Sequence, residues 1–337
     1  MPGPVSLTDI NDVLSYQTGM ASKPAVSLAY GKELLRYDFG PNHPMNGERI
    51  DAFFRLCRES GILKDRRVSI VPPRMATGDE LLLFHTPEYI ELVRQSSTSP
   101  VILLDDEDTP SFKGVYEAAR YVVGTTLDCL ERTIGGRGYA FNPMGGLHHA
   151  RRDHAAGFCV FNDIGVAIEA ARRSWGLRRV LYIDIDAHHG DGVMYAYYDD
   201  ADILTLDFHE DGRNLYPGTG FERETGGPGA VGSKRNVSLP PGADDDHFKS
   251  KLETMTNFLR NSHPELVILQ AGADCLRGDP IADLSLSKGV HRLITQTARK
   301  VADQQCDGRL LALGGGGYNT KRTAEAWMSV LTTMLEG

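Results

Sequence analysis

A short apolar segment near the middle of the chain runs into a dense group of ionisable side chains. Val180–Ile185 leads into the run Asp184–Gly192, which contains three aspartates and two histidines. In an extended strand, residues two apart share a face, so Asp184, Asp186 and His188 are expected to point the same way. A carboxylate oxygen and an imidazole nitrogen suit Zn²⁺, and a third ligand from elsewhere leaves one position open for water. The alternative is a strand end whose acids cap the next helix, but the composition favours a metal site.

Polar groups also follow three other apolar runs. His148 and His149 follow Tyr139–Phe141, Asp274 follows Leu266–Gln270, and Tyr318 follows Leu310–Leu313 after four glycines. Ligands of an open parallel sheet bind outside the carboxyl ends of its strands, so all four groups are expected to meet at one site. A single aspartate after a strand is usually a helix cap, and a single tyrosine is usually a packed ring. Four coinciding groups instead indicate an active site.

The four-glycine run Gly314–Gly317 resembles a dinucleotide-binding loop only weakly. The pattern G-x-G-x-x-G needs a third glycine at position 319, where this chain has Asn319. No acidic residue is suitably placed about 20 residues further on, near the end of the chain. We therefore expect the glycines to let the backbone bend tightly and move, with Tyr318 as the functional side chain.

The elements that must position these residues alternate between apolar runs and helical patterns. The apolar runs predict strands at Tyr139–Phe141, Val180–Ile185, Ile203–Phe208, Leu266–Gln270 and Leu310–Leu313. The helical patterns predict helices at Asp163–Trp175, Asp246–Arg260 and Lys288–Ala302. This alternation implies an α/β protein with a parallel sheet covered on both faces. The 337 residues fit one large domain or two small ones, and no composition break marks a linker, so a single domain over residues 1–337 is expected.

Composition narrows the functional class. The net charge of −9 and the lack of a basic block argue against nucleic-acid binding. No apolar run is long enough to span a membrane, and the N-terminus (Met1–Pro4) lacks the basic region and apolar core of a signal peptide. The five cysteines are scattered and form no C-x-x-C pair, so reduced thiols and a cytoplasmic location are expected. The acidic loop Ser96–Pro110 is interpreted as a solvated charge run.

Several of these segments together resemble one family. Gly146–Ala150, Gly157–Cys159 with Asn162 and Asp163, Asp184–Gly192, Tyr216–Gly220, Asp274 and Gly314–Tyr318 occur in the order seen in zinc-dependent histone deacetylases. The chain is also similar to the bacterial and archaeal acetoin-utilization-type deacetylases, and His43–Met45 with Arg49 and Ile50 resembles their N-terminal segment. The match covers about residues 26–330. It implies the arginase–deacetylase fold, a single α/β domain with a mostly parallel eight-stranded sheet flanked by helices.

The resemblance implies a metal site with a pair of histidines beside it. Its metal ligands would be Asp186, His188 and Asp274, which bind Zn²⁺, with Fe²⁺ as the alternative ion. His149 would be the general base and acid and His148 its electrostatic partner. Each imidazole needs an acceptor on its other nitrogen, and by resemblance these acceptors are Asp184 for His148 and Asp191 for His149.

The resemblance also implies the substrate contacts. Tyr318 would donate its phenolic hydrogen to the developing oxyanion, swinging in over the substrate on the mobile glycine loop. Gly157, Phe158 and Tyr216 match the narrow acyl-lysine tunnel, although two core aromatics would give the same pattern. Asp108 aligns with a rim aspartate that holds substrate backbone amides. A structural monovalent cation such as K⁺ is a further expectation, with Asp207 standing where the family has a serine.

The activity implied is metal-dependent hydrolysis of N-acetyl-lysine, or of lysine with a short acyl group, in a protein or peptide. An acetylpolyamine amidohydrolase acting on small acetylated amines shares these motifs and is the main alternative. A ureohydrolase needs two Mn²⁺ ions bridged by more aspartates than this chain places together. A binding module without activity is disfavoured because all the expected catalytic residues, Tyr318 included, are present.

Overall fold

The computed structural model describes residues 26–98, 103–105, 108–136 and 138–336. Within them, one sheet of eight parallel strands has the order β2-β1-β3-β8-β7-β4-β5-β6. The strands are β1 (Val26–Ala29), β2 (Val68–Val71), β3 (Tyr139–Asn142), β4 (Val180–Asp184), β5 (Ile203–Glu210), β6 (Lys234–Leu239), β7 (Leu266–Gln270) and β8 (Leu310–Leu313). The predicted α/β class is confirmed, and the sheet is entirely rather than mostly parallel.

Helices connect the strands. They span Glu48–Glu59, Gly78–Leu81, Pro87–Ser96, Val115–Ile134, Asp163–Trp175, Asp191–Ala196, Asp245–Thr254, Thr256–Arg260, Lys288–Gln305 and Thr320–Leu335, with 3₁₀ turns at Lys32–Arg36 and Ile62–Lys64. The predicted helix Asp246–Arg260 is in fact two helices, because the chain turns at Met255. Among the helices of the described ranges, none is long and apolar enough to cross a membrane.

The strand register brings the predicted polar groups to one edge of the sheet. Asn142 lies beside Leu313, Leu313 beside Gln270, and Gln270 beside Asp184, so four adjacent strands end at the same level. The chain segments that follow these strands carry His148, Tyr318, Asp274 and Asp186 in turn. Their convergence is therefore a direct result of parallel pairing among β3, β8, β7 and β4.

The parts of the chain outside the sheet agree only partly with the sequence interpretation. All five cysteines are buried and unpaired, as expected for reduced thiols. In the acidic loop, Asp106 and Glu107 lie outside the described residues, as does the N-terminal segment Met1–Pro4. Asp105 is not a simple solvated charge, because its Oδ1 accepts hydrogen bonds from the backbone N–H groups of Asp108 (3.0 Å) and Thr109 (2.9 Å).

Candidate active site

Asp186, His188 and Asp274 form a compact buried group. One potential ligand atom from each lies within 4.8 Å of the others. The Nδ1 atom of His188 lies 3.1 Å from Asp186 Oδ1 and 3.2 Å from Asp274 Oδ2. Because β4 ends at Asp184, strand alternation does not extend to His188. Asp184 is not in the group, because its Oδ2 contacts His148 Nδ1 at 2.8 Å, and Asp274 is the third member.

Backbone and amide donors hold the two carboxylates in place. Asp186 Oδ2 accepts hydrogen bonds from the Gly316 N–H and from the Gln270 amide, both at 2.8 Å. Asp274 Oδ1 accepts one from the Ala187 N–H at 2.8 Å. A side chain at position 316 has no room, because its Cβ would overlap the Asp274 carboxylate. One of the four glycines is thus required by close packing against the carboxylates rather than by mobility.

The chemistry of this group fits a divalent cation. Two carboxylates and one imidazole converge in a site where all three residues are buried. Burial, and then the charge of Asp186, raise the pKa of Asp274 to about 7, as expected where two carboxylates share one buried site. Oxygen and nitrogen donors of this kind suit Zn²⁺ and Fe²⁺. Among the described residues, no second such group of ligating side chains exists for the paired ions of a ureohydrolase.

The two adjacent histidines each have a carboxylate partner. Nδ1 of His148 donates to Asp184 Oδ2 at 2.8 Å, and Nδ1 of His149 donates to Asp191 Oδ1 at 2.7 Å. The two Nε2 atoms then face each other at 3.0 Å. Because two nitrogens can form a hydrogen bond only if one carries a hydrogen, the pair shares a proton between its Nε2 atoms.

The surroundings separate the two imidazoles electrostatically. Burial acts to lower the pKa of His148, but the charges of Asp184 and Asp186 outweigh it and raise this pKa to about 10. Burial, reinforced by the charge of His148, lowers the pKa of His149 to about 4. His148 is accordingly the cation of the pair, and it donates its Nε2 hydrogen to the unprotonated Nε2 of neutral His149.

Arg151, which the sequence analysis overlooked, supports the His149 partner. Its guanidinium forms an ion pair with Asp191 Oδ2 and also donates to the Asp191 backbone carbonyl at 3.2 Å. Burial acts to raise the pKa of Asp191, but the hydrogen bond to His149 and the charge of Arg151 lower it to about 2. Asp191 is therefore ionised and held on both sides. The only sequence signal was a basic residue two positions after the histidine pair.

The start of helix Asp163–Trp175 holds the loop that carries both histidines. The buried Asp163 carboxylate accepts hydrogen bonds from the backbone N–H groups of Gly146 (3.1 Å) and Leu147 (2.9 Å). Asn162 caps the helix through its side-chain oxygen and donates to the Ala150 carbonyl at 2.9 Å. The Asn–Asp pair, noted in the sequence only as part of a motif, thus fixes the backbone on both sides of the histidines.

The glycine loop before Tyr318 is anchored at three backbone atoms. Arg49, which is 1% exposed, donates to the carbonyls of Gly315 (2.6 Å) and Gly317 (3.1 Å). The Asp279 carboxylate accepts a hydrogen bond from the Tyr318 N–H at 2.7 Å. Burial, and then the charges of Asp274 and Asp186, raise the pKa of Tyr318 well above its usual value, which keeps the phenol protonated. These contacts hold the loop backbone in this conformation, and the expected swing of Tyr318 over the substrate stays a prediction.

The proposed tunnel residues lie around the histidines and Tyr318. The Tyr216 ring centroid is 5.2 Å from that of His149, and the Phe158 centroid is 5.9 Å from that of Tyr318. Both aromatic side chains are only half-buried, unlike core rings. Gly157 packs so closely that a Cβ there would lie 2.5 Å from His149 Cδ2. The structure thus brings Gly157, Phe158 and Tyr216 to the site, whereas their contacts to substrate stay a prediction.

Asp108 lies in an outer loop beyond these aromatic residues. Its backbone carbonyl is 3.2 Å from Nε2 of His43, whose ring centroid lies 4.5 Å from that of Phe158. His43 Nδ1 accepts a hydrogen bond from the Met45 N–H at 3.1 Å, so Nε2 carries the hydrogen and donates to Asp108. This arrangement is compatible with a rim position for Asp108.

Asp207 has partners of its own beneath the site. Its carboxylate accepts from the Gly190 N–H at 2.8 Å and pairs with Nδ1 of His209 at 2.6 Å. Although burial acts to lower the pKa of His209, the charge of Asp207 raises it. The carboxylate that replaces the family's serine is therefore already engaged by a basic side chain, and a monovalent cation there remains a prediction.

Known proteins resemble this chain along most of its length. The family model described as "Histone deacetylase domain" matches residues 43–334. Acetoin utilization protein AcuC of Bacillus subtilis (strain 168) is 37% identical over 315 residues, covering 90% of this chain and 81% of the relative. The protein of that name from Staphylococcus aureus (strain Mu50) is 32% identical over 321 residues, covering 91% and 81%.

Two solved structures share the fold. The HDA15 HD domain has a TM-score of 0.83 and 27% identity, covering 93% of this chain and 90% of its own. An HDAC homolog from Aquifex aeolicus has a TM-score of 0.82 and 31% identity, covering 92% and 83%. The expected arginase–deacetylase fold is thereby confirmed.

Proposed function

This chain belongs to the histone deacetylase family, and we propose that it hydrolyses the amide of N-acetyl-lysine, or of lysine with a short acyl group, in proteins. The products would be acetate, or the related short-chain acid, and the free lysine side chain. The observation that carries the proposal is the pair of buried histidines, each bound to its own carboxylate, beside the group of Asp186, His188 and Asp274. Amide hydrolysis needs a proton carrier of this kind next to a group that polarises the carbonyl.

Asp186, His188 and Asp274 would hold the divalent ion, Zn²⁺ or Fe²⁺. When bound, the ion supplies Lewis-acid polarisation of a carbonyl and lowers the pKa of water. The two carboxylates nearly neutralise a divalent charge, so a separate general base is needed beside them. His149 meets that need because Asp191 fixes its ring through Nδ1 and leaves Nε2 to exchange protons.

His149 would act twice in the reaction. Its low pKa keeps Nε2 unprotonated, so this atom accepts a proton from the attacking water and later returns one to the leaving amine. His148 stays cationic and stabilises negative charge as it develops on the substrate. The Tyr318 hydroxyl, protonated throughout, would donate a hydrogen bond to the carbonyl oxygen as that atom becomes an oxyanion.

A substrate panel tests this function directly. The purified protein is assayed with acetyl-lysine peptides, acetylputrescine and arginine side by side, before and after treatment with a chelator. We expect chelator-sensitive release of acetate from the peptides, with acetylputrescine as the poorer substrate. Faster turnover of acetylputrescine would replace the protein-lysine assignment with the acetylpolyamine alternative. Urea release from arginine, or no hydrolysis of any acetylated amine, would overturn the proposal.

Tyr318→Phe is expected to lower turnover by about 10²–10³-fold, the usual loss for one preorganised donor to an oxyanion. Phenylalanine keeps the ring that lies under Arg49 and against Phe158, so folding and metal content should not change. The variant should still bind an acetyl-lysine peptide with nearly the wild-type Kd while hydrolysing it slowly.

Tyr216→Phe is the matched control, because it also removes one phenolic hydroxyl, from a ring that lies beside His149 and has no proposed oxyanion contact. It should keep most of the turnover. Wild-type kcat in Tyr318→Phe would show that the glycine loop does not deliver this hydroxyl to the carbonyl.

A further inference from the structure

Phe158 is held in an unusual backbone conformation. Its φ of 65° lies in the left-handed region, which residues with a side chain rarely adopt because the Cβ then crowds the following carbonyl. Such strain persists only where surrounding contacts enforce it, and it concentrates at functional sites. The contacts that enforce it here can be named.

Two buried hydroxyls fix the two polar groups of the Phe158 backbone. The Thr109 Oγ1 accepts a hydrogen bond from the Phe158 N–H at 3.0 Å. The Tyr37 hydroxyl donates to the Phe158 carbonyl at 2.7 Å and accepts from the Val160 N–H at 2.9 Å. Thr109 and Tyr37 are both 0% exposed, so water cannot substitute for either hydroxyl.

Thr109 also belongs to the loop that carries Asp108. Its N–H donates to Asp105 Oδ1, the same oxygen that accepts from the Asp108 N–H, and its carbonyl accepts from the Leu104 N–H at 2.8 Å. One buried residue therefore joins the outer acidic loop to the Phe158 backbone. The His43 ring lies over the same junction, in contact with Phe158 and with the Asp108 carbonyl.

We propose that Thr109 is a positioning residue for substrate recognition. Its hydroxyl holds Phe158 in the tunnel wall, and its backbone fixes the position of Asp108 at the rim. The inference rests on the proposed acyl-lysine hydrolysis and adds a residue that determines its specificity. Thr109 is not expected to act on the chemical step, because its contacts are to Phe158, Asp105 and Leu104 rather than to the histidines or Asp274.

Thr109→Val tests the proposal with little change in side-chain shape. Valine leaves the buried Phe158 N–H without an acceptor, so the strained backbone should relax and the ring should shift. We expect KM for an acetyl-lysine peptide to rise about five- to tenfold, in line with the loss of one buried hydrogen bond, while kcat changes little. The ratio of kcat/KM for butyryl-lysine to that for acetyl-lysine should change as well, since the ring would border the acyl chain in the proposed tunnel.

Thr109→Ser is the matched control, because it keeps the hydroxyl and should restore wild-type KM. An unchanged KM and unchanged acyl preference in Thr109→Val would overturn the proposal, as would equal effects of valine and serine. A fall in kcat that follows loss of metal or of folded protein would assign Thr109 a structural role only.

Tyr37→Phe provides a second measurement in case the valine variant does not fold. It releases the Phe158 carbonyl but keeps the ring that packs on Phe39, and it should also raise KM more than it lowers kcat. Unchanged KM in this variant would likewise overturn the proposal. Failure of the proposed function would appear separately, as absence of peptide turnover in the wild type. The KM comparison is then made with whichever acetylated amine the wild type hydrolyses.

Discussion

Asp274→Ala should leave the chain folded but unable to retain its metal or to hydrolyse an acetylated substrate. Asp274 contributes one of two carboxylates to the group with Asp186 and His188, and a site with three protein ligands cannot spare one. Removing it also relieves repulsion between two buried carboxylates, the repulsion that contributes to the raised pKa of Asp274. The metal-free variant should therefore unfold at a temperature close to that of the metal-free wild type.

Elemental analysis and thermal unfolding measure this result independently of activity. Wild type should carry about one ion per chain and gain thermal stability when Zn²⁺ or Fe²⁺ is added, because a ligand that binds only the folded state stabilises it. Asp274→Ala should show neither property, whereas Asp283→Ala, at an exposed carboxylate in the following loop, should show both. One tightly bound ion per chain in Asp274→Ala would remove this residue from the ligand set.

The parts of the fold that were predicted correctly depend on local patterns. Leu266–Gln270, Leu310–Leu313 and Asp163–Trp175 have the predicted bounds, because a fully buried strand and a capped helix both show their periodicity in the sequence. The meeting of the four polar groups followed from the same information. Parallel strands place their carboxyl ends at one edge, so knowing which residues follow each strand is nearly sufficient.

The strands that were missed lie toward the ends of the sheet and lack a plain apolar run. β6 begins with Lys234, Arg235 and Asn236, a composition that predicts a solvent-exposed segment rather than a strand of a sheet. Lys234 is nevertheless buried, and its ammonium donates to the carbonyls of Asp200 (2.9 Å) and Ile203. A lysine that is stabilised by carbonyls more than thirty positions away cannot be recognised from its neighbours in the sequence.

The same limit applies to the residues that support the site. Arg49 contacts Gly315 and Gly317, which lie 266 and 268 positions later in the chain. An arginine beside apolar residues in a helix is ordinarily placed at the surface, whereas this one is buried under the glycine loop. The groups that carry out chemistry can be found from residue type and strand position. The residues that hold those groups in place can be identified only from the tertiary contacts of the folded chain.

His149→Ala should lower turnover by about 10²–10⁴-fold, the range expected when a general acid–base group is lost. The variant should keep its metal, because His149 is outside the group formed by Asp186, His188 and Asp274. Asp191 should stay ionised, since Arg151 still forms an ion pair with its carboxylate. The loss should therefore appear in kcat, with metal content and the binding of an acetyl-lysine peptide close to wild type.

His154→Ala serves as the control, because His154 is an exposed histidine of the same loop whose Nδ1 contacts only the neighbouring Asp153 among the hydrogen bonds of the described chain. It should keep full activity. His148→Ala separates the two members of the pair: it removes the cation but leaves the Nε2 of His149 free to carry protons, so its loss should be the smaller one. A decrease below tenfold in His149→Ala, with a larger decrease in His148→Ala, would transfer the proton-carrying role to His148.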